Sequence, residues 1–294
     1  MQRRANIPAA IVAAALLTLG GSVAAQSEST DGSASEGRPT ATTGDEPAAT
    51  ASGNEAEETA GETEGEVPEA EAIMDKLDTL YRADSSHAVM EMVVKKPRGT
   101  RKLKLEAWSK GEDKMLVVIR EPAREAGTAT LRTDEGLWNY APRADRLIRI
   151  PSGLLSDSWM GSHFTNDDLM RETSYDEDYR GTVERATLDG RPTWKLILTP
   201  KPDAPVVYSK LTFQVTRDGW LPLKTDYYDD GEIVRTMTFS NVEQIGGRRL
   251  PTQMTLRPAD AEGEMTRMRY ETLELGVDVS NRLFSRRGLR RRAK

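Results

Sequence analysis

The chain has 294 residues, with 41 basic and 47 acidic side chains, a net charge of −6, two histidines and no cysteine. The absence of cysteine excludes disulfides, thiol nucleophiles, cysteine metal sites and a lipid-modified N-terminal cysteine. No P-loop, dinucleotide fingerprint or GxSxG elbow occurs, so the common nucleotide-binding and acyl-transfer signatures are excluded too.

The N-terminus reads as an address. Arg3 and Arg4 precede the apolar run "PAAIVAAALLTLGG", and "SVAAQ" follows with small residues at Val23 and Ala25. This is the pattern of a secretory signal peptide over residues 1–25, cleaved after Ala25. The run is short of the ~20 residues a spanning helix needs. With no disulfides in prospect, the expected compartment is a bacterial periplasm.

Residues 26–70 hold twelve acidic residues, one basic residue (Arg38) and no aromatic residue. Low hydrophobicity with high net charge predicts a disordered acidic linker, because too little apolar surface offsets the ordering entropy. Setting aside the three arginines and twelve acids of residues 1–70 leaves residues 71–294 near +3. Much of that excess lies in "SRRGLRRRAK", expected as a solvated basic tail able to touch anionic headgroups. No aromatic interleaving points to nucleic acid.

Residues 71–294 are enough for one large domain. A helix opens it: Pro68 sits for a first turn, and Ile73, Leu77, Leu80 and Tyr81 form one apolar stripe. After Ser86 the period becomes two. "VMEMVVKK" puts Met90, Met92 and Val94 on one face, and "KLKLEAW" does the same for Leu103, Leu105 and Ala107. "MLVVI" is apolar on both faces. "TATLRT", "LWNYAP", "DRLIRI", "WKLIL", "SKLTFQV", "LKTDYY", "IVRTMTF", "TQMTL" and "MTRMRY" continue the pattern between turns such as "LDGRP" and "YDDGE". Such spacing predicts an antiparallel meander. Roughly ten or eleven strands in one sheet should curl rather than stay flat. The expected fold is mainly β with few helices: a curved antiparallel sheet forming a half-open β-barrel closed by helices.

"WMGSHFTNDDLM", Trp159–Met170, carries one of the two histidines beside two aspartates. Thr165 is a good N-cap, with Asp168 three residues on as a capping-box variant. Gly161 supplies a bend, and Trp159, Met160 and Phe164 supply apolar surface. This favours a capped helix after a loop over a catalytic pairing of His163 with Asp167 or Asp168, and no metal site is expected from two isolated histidines.

"GLWNYAPRADRLIRIP" followed by "SDSWMGSHFTNDDL" resembles the LolA-like outer-membrane lipoprotein-sorting proteins. Their pattern is a tryptophan strand ending in Y-P, a basic strand ending in R-I, then F-M-G-S-D-F-S-Y-D-D-L. Trp138, Tyr140, Pro142, Arg149, Ile150, Met160, Gly161, Ser162, Phe164, Asp167, Asp168 and Leu169 match it. His163, Trp159 and Asn166 depart from it. The resemblance covers about residues 70–290 and includes "DGWLPLKTDYYDDGE" and "GGRRLPTQMTL".

The resemblance implies a non-enzymatic carrier of lipid or lipoprotein acyl chains, needing no cofactor and working beside a membrane transporter. The candidate lining of the cavity and its lid is then Met90, Met92, Leu103, Leu105, Val117, Ile119, Trp138, Trp159, Met160 and Phe164. Ten methionines besides Met1, against four phenylalanines, suit a surface that accepts irregular apolar ligands. Two other readings stand beside it: an accessory interaction subunit of an envelope transporter, and a hydrolase using His163 with Asp167 or Asp168.

Overall fold

The computed structural model describes residues 66–170, 174–204 and 206–293. The expected signal peptide and nearly all of the acidic linker lie outside them. Pro68 precedes the first helix rather than entering it. Helix α1 runs Ala70–Thr79, with Glu69 extended at its N-cap and Glu71 in its first turn. There a carboxylate meets the positive end of the helix dipole. Ile73, Met74, Leu77, Leu80 and Tyr81 are at most 2% exposed. The apolar stripe read from the sequence is therefore the buried face, widened by Met74.

Thirteen strands follow: β1 Ser85–Lys96, β2 Gly99–Lys110, β3 Lys114–Glu121, β4 Ala129–Thr133, β5 Gly136–Ala141, β6 Arg146–Arg149, β7 Tyr179–Leu188, β8 Arg191–Pro200, β9 Lys210–Thr216, β10 Pro222–Asp229, β11 Glu232–Ile245, β12 Arg248–Pro258 and β13 Met265–Leu275. They form one antiparallel sheet in the order β6-β5-β4-β3-β2-β1-β13-β12-β11-β10-β9-β8-β7. The two meanders join where β1 pairs with β13, and β6 and β7 remain as edges. The sheet exceeds the expected ten or eleven strands, and β7 is one that no sequence window marked. Its "YRGTVERATL" has no clean apolar alternation, because an edge strand covers little core and carries charge instead.

Laid flat, twelve inter-strand steps would spread over about 58 Å. Instead, inward residues of β1, β2, β3, β5 and β7 to β13 share one apolar cluster with α1, so the sheet wraps around the helix. α1 reaches the edge and the centre of the sheet at once. Ala70 abuts Gly181 of β7, where an added Cβ would come within 2.8 Å of the Ala70 Cβ. Eleven residues further, Tyr81 donates its hydroxyl to the Pro251 carbonyl in β12 at 2.7 Å and stacks on Tyr270 of β13.

The period-two faces come out as read. Met90 lies opposite Leu105, and Met92 opposite Leu103. Leu105 lies opposite Ile119, and Ala107 opposite Val117. In β3, Met115, Val117 and Ile119 face the inner cluster, while Leu116 and Val118 face a second cluster on the outer side.

That outer cluster corrects the reading of the C-terminus as a solvated tail. Val279, Leu283, Phe284, Leu289 and Ala293 cover Trp108, Leu116, Val118, Ala129, Leu131 and Tyr140. The basic run forms a helix, α4, Arg286–Arg292, capped by the Ser285 hydroxyl accepting from Gly288 N–H at 3.0 Å. Every third or fourth residue of "FSRRGLRRRA" is apolar or small, which lets one side dock while the arginines face water.

Candidate functional site

The segment between β6 and β7 crosses the inner face. It begins as a tight loop: Ser158 and Thr165 form an antiparallel bridge, and Trp159 N–H donates to the Phe164 carbonyl at 2.7 Å. Met160 (φ 49°) and Gly161 (φ 70°) are both left-handed. Glycine takes this conformation freely; methionine takes it at a cost. The Arg101 guanidinium offsets that cost by donating to the Met160 carbonyl at 2.6 Å, while it pairs with Glu125 on its other edge.

The bend drives two aromatic side chains inward. Trp159 and Phe164 are both fully buried in the inner cluster. Trp159 Nε1–H donates to the Thr130 hydroxyl of β4 at 3.0 Å, and that hydroxyl donates to the Asn139 side-chain oxygen of β5 at 2.9 Å. A buried indole N–H needs such a partner.

The helix that follows, α2 (Asp167–Met170), is capped reciprocally. Asp168 N–H donates to the Thr165 hydroxyl at 3.2 Å, and Thr165 N–H donates to an Asp168 carboxylate oxygen at 2.9 Å. This is the capping box expected from the sequence. Asp168 then does something the sequence reading missed: its two oxygens accept from both Arg235 terminal nitrogens at 3.0 and 3.1 Å. The Arg235 guanidinium also lies over Tyr227 and Tyr208, 4.6 and 5.0 Å from their ring centres. Burial alone would lower the arginine pKa, but the Asp168 carboxylate, together with Tyr208 and Tyr227, holds Arg235 above its ordinary value. Burial pushes the Tyr208 hydroxyl up to about 12, against the pull of Arg235. One signal for Arg235 was present: in "IVRTMTF" it shares strand parity with Met237 and Phe239, a single charge on an apolar face.

His163 sits apart from Asp168. Its backbone N–H and Nδ1 both meet the Thr266 hydroxyl, at 3.0 and 2.8 Å, and its Nε2 meets Glu264 at 2.9 Å. Both ring nitrogens are thus engaged at the start of β13, and Asp168 is held by Arg235. Neither ring nitrogen of His163 is bonded to Asp167 or Asp168, the two partners the hydrolase reading offered. Among the described residues, no cluster of three histidine, aspartate or glutamate side chains could hold a metal.

Of the ten candidate lining residues, Met90, Met92, Leu103, Leu105, Val117, Ile119, Trp159 and Phe164 come together in the inner cluster, with Met160 half-buried against it. They are packed close to full burial. The described clefts open elsewhere; one of about 610 Å³ is lined by Leu188, Asp189, Arg191, Leu223, Lys224, Thr238 and Phe239. Trp138 is set apart from the other nine. It lies on the outer side, against the cluster that α4 covers, with Arg286 and Arg149 at 4.8 and 6.0 Å from its ring centre. Position in "GLWNYAP" gave the period but not which side of the sheet tryptophan would face.

A family model described as an uncharacterized protein matches residues 111–291. Among solved structures, the chain is similar to a DUF1329 family protein from Desulfovibrio piger, at 25% identity and TM-score 0.67, covering 75% of this chain and 97% of that one. It is similar to an outer membrane lipoprotein-sorting protein domain from Vibrio parahaemolyticus, at 24% identity and TM-score 0.65, with coverage of 75% and 97%. It is also similar to a LolA superfamily protein from Nitrosomonas europaea, at 26% identity and TM-score 0.60, with coverage of 74% and 97%. No curated protein matches the chain.

Proposed function

Because the chain belongs to the family whose model matches residues 111–291 and is similar in fold and sequence to a LolA superfamily protein, we propose that it is a periplasmic carrier that binds the acyl chains of a lipid or lipoprotein. One observation carries this reading: a continuous methionine- and leucine-rich inner sheet face is covered by a segment anchored through Trp159 and Phe164. Carriage of an apolar chain needs an apolar surface that is hidden from water when empty. A filled core that a covering segment can leave meets that need, because acyl carbon replaces the side-chain contacts that are lost. Met90 and Met92 adapt to ligands of irregular shape.

The role proposed is sorting or transport between envelope membranes, with a membrane transporter as donor. No step in it requires bond making or breaking, so it is a carrier and not an enzyme. Secretion through the cleaved signal peptide belongs to the same proposal, and a mature N-terminus at Gln26 in a periplasmic fraction is expected.

The test is mass spectrometry of lipids that copurify with the mature protein, combined with titration of a fluorescent acyl probe. Acylated material displaced by the probe supports the reading. Val117→Glu should abolish probe binding, because an unpaired charge on this face is costly. A folded Val117→Glu variant that binds the probe normally, or a native protein that neither carries lipid nor takes up the probe, would overturn it.

A further inference from the structure

We infer that the arginine-rich outer edge formed by the β5–β6 hairpin and α4 is a docking surface for an anionic phospholipid bilayer. Arg143, Arg146 and Arg149 project from the hairpin, and Arg286, Arg287, Arg290 and Arg291 from α4; all are exposed. The nearby carboxylates are Asp145, bonded to Arg290 at 2.9 Å, and the exposed Asp134 and Glu135 on the adjoining turn. Among the described residues, Arg146, Arg286, Arg287 and Arg291 form no ion pair. Arginines that serve only the fold usually find a carboxylate or a carbonyl; these face outward with their charge unspent.

The apolar side chains agree. Of the described large hydrophobic residues, the two most exposed are Ile148, at 54%, and Leu154, at 45%, the second in the turn that follows β6. Trp138 is half-buried between Arg286 and Arg149. A cleft of about 390 Å³ lies on one side of it, lined in part by Arg146, Ile148, Arg286 and Arg290. Another of about 360 Å³, lined in part by Lys114, Phe284 and Arg286, lies on the other.

Arg149, Arg286 and the half-sunk Trp138 on the outer side of the β6 edge, with Arg146 and the protruding Ile148 on its other side, match the layers of an anionic bilayer met edge-on: phosphates outside, acyl carbon just beneath. Charge brings the surface in, and Ile148 gains contact only once it is there. A nucleic acid would instead need open aromatic faces for stacking, and arginines already flank the Trp138 ring. The edge also leads directly through Leu154 into the Trp159–Met170 segment, so docking would set that segment beside the membrane. The inference rests on the carrier reading only in its choice of a lipid surface. Vesicle binding is measured separately from acyl loading, so either can fail alone.

The experiment is sedimentation of the full-length mature protein with phosphatidylcholine vesicles, with and without phosphatidylglycerol. Binding is expected only with phosphatidylglycerol, weakening steeply as salt rises. The triple variant Arg146→Gln, Arg287→Gln, Arg291→Gln should bind roughly a hundredfold more weakly, from the contribution of each cation near an anionic surface. Ile148→Ser should remove the binding that survives high salt. The triple variant Arg180→Gln, Arg257→Gln, Arg269→Gln lowers the net charge equally at exposed positions elsewhere and should bind as the native protein does.

Equal loss in both triple variants would show a net-charge effect and overturn the inference. So would competition by inorganic phosphate beyond that of chloride at matched ionic strength, which marks a free-anion site. Displacement by polyglutamate at equal charge as effective as by phosphatidylglycerol vesicles would assign the surface to an acidic protein. Self-association of the Arg146 triple variant with vesicle binding intact would show that these arginines only guard the open edge of β6.

Discussion

Asp168 and Arg235, 67 residues apart in sequence, form a two-pronged ion pair in the protein interior, with distances of 3.0 and 3.1 Å. Their side chains are 1% and 8% exposed. The pair fastens the segment over the inner face to β11. Removing one partner leaves the other charge buried, so Arg235→Met or Asp168→Asn should each cost about 3–5 kcal/mol. An Asp168→Asn, Arg235→Met double variant removes both charges and should cost clearly less than the two single changes together. Urea unfolding of all four proteins measures this; additive costs would show that the pair has no energetic coupling.

Trp159 is the apolar anchor of the same segment. Trp159→Phe keeps most of the ring but drops the bond to Thr130, for an expected loss of about 1 kcal/mol. Trp159→Asp places a charge in the core and should impair both folding and acyl binding. His163→Ala loses contacts to Thr266 and Glu264 at the rim and should keep most acyl binding and most function. The comparison belongs in one lipid-binding and complementation assay. A histidine variant that binds normally yet is inactive, beside an active Trp159→Asp variant, would revive the catalytic reading.

Asp78 makes stability depend on pH. Its carboxylate accepts from the Ser174 hydroxyl at 2.8 Å and Tyr175 N–H at 3.0 Å, while its other oxygen has no partner among the described residues. Burial pushes its pKa from 3.8 up to about 6, against the hydrogen bonds and the Arg82 charge. The folded value exceeds the unfolded one, so the native state holds the proton longer. The contribution is complete below about pH 4 and lost as pH rises through about 6, on the order of 3 kcal/mol. Asp78→Asn should flatten this part of the profile and raise stability at neutral pH. Denaturant midpoints across this window, for both proteins, check the sign; an unchanged slope in the variant would assign the dependence to other groups.

The C-terminal helix should prove structural. Leu289 is fully buried against the outer face of the sheet, so Leu289→Ala should cost about 2–4 kcal/mol. Gly288→Ala should cost at least as much, because its Cβ would press on the carbonyl oxygens of Arg282 and Leu283. Arg287→Gln, exposed on the same helix, should be neutral to within about 0.5 kcal/mol. Melting temperatures distinguish these cases; a harmless Leu289→Ala would return the segment to the status of a tail.

Much of the architecture was legible because strand and helix periodicity are local. Met90, Met92, Leu103, Leu105, Val117 and Ile119 share an inner face because side chains alternate along any strand, whatever it pairs with. The Thr165–Asp168 box was legible because both partners lie within one helical turn. β7 escaped notice because an edge strand has little core to cover and so loses the alternation that marks a strand.

The sequence by itself determined the period of every strand but β7, the apolar stripe of α1, the turn positions, the Thr165–Asp168 cap and the two-sided apolar character of "MLVVI". It also held the family pattern around Trp138–Leu169. Only the tertiary structure decided that β1 pairs with β13, that Asp168 finds Arg235, that Trp138 faces outward and that the basic C-terminus docks. The reason is physical. Alternation says that two faces differ, but which one is inner depends on how the whole sheet curls around α1. Pairings between residues far apart in the chain exist only after that curl has brought their faces together.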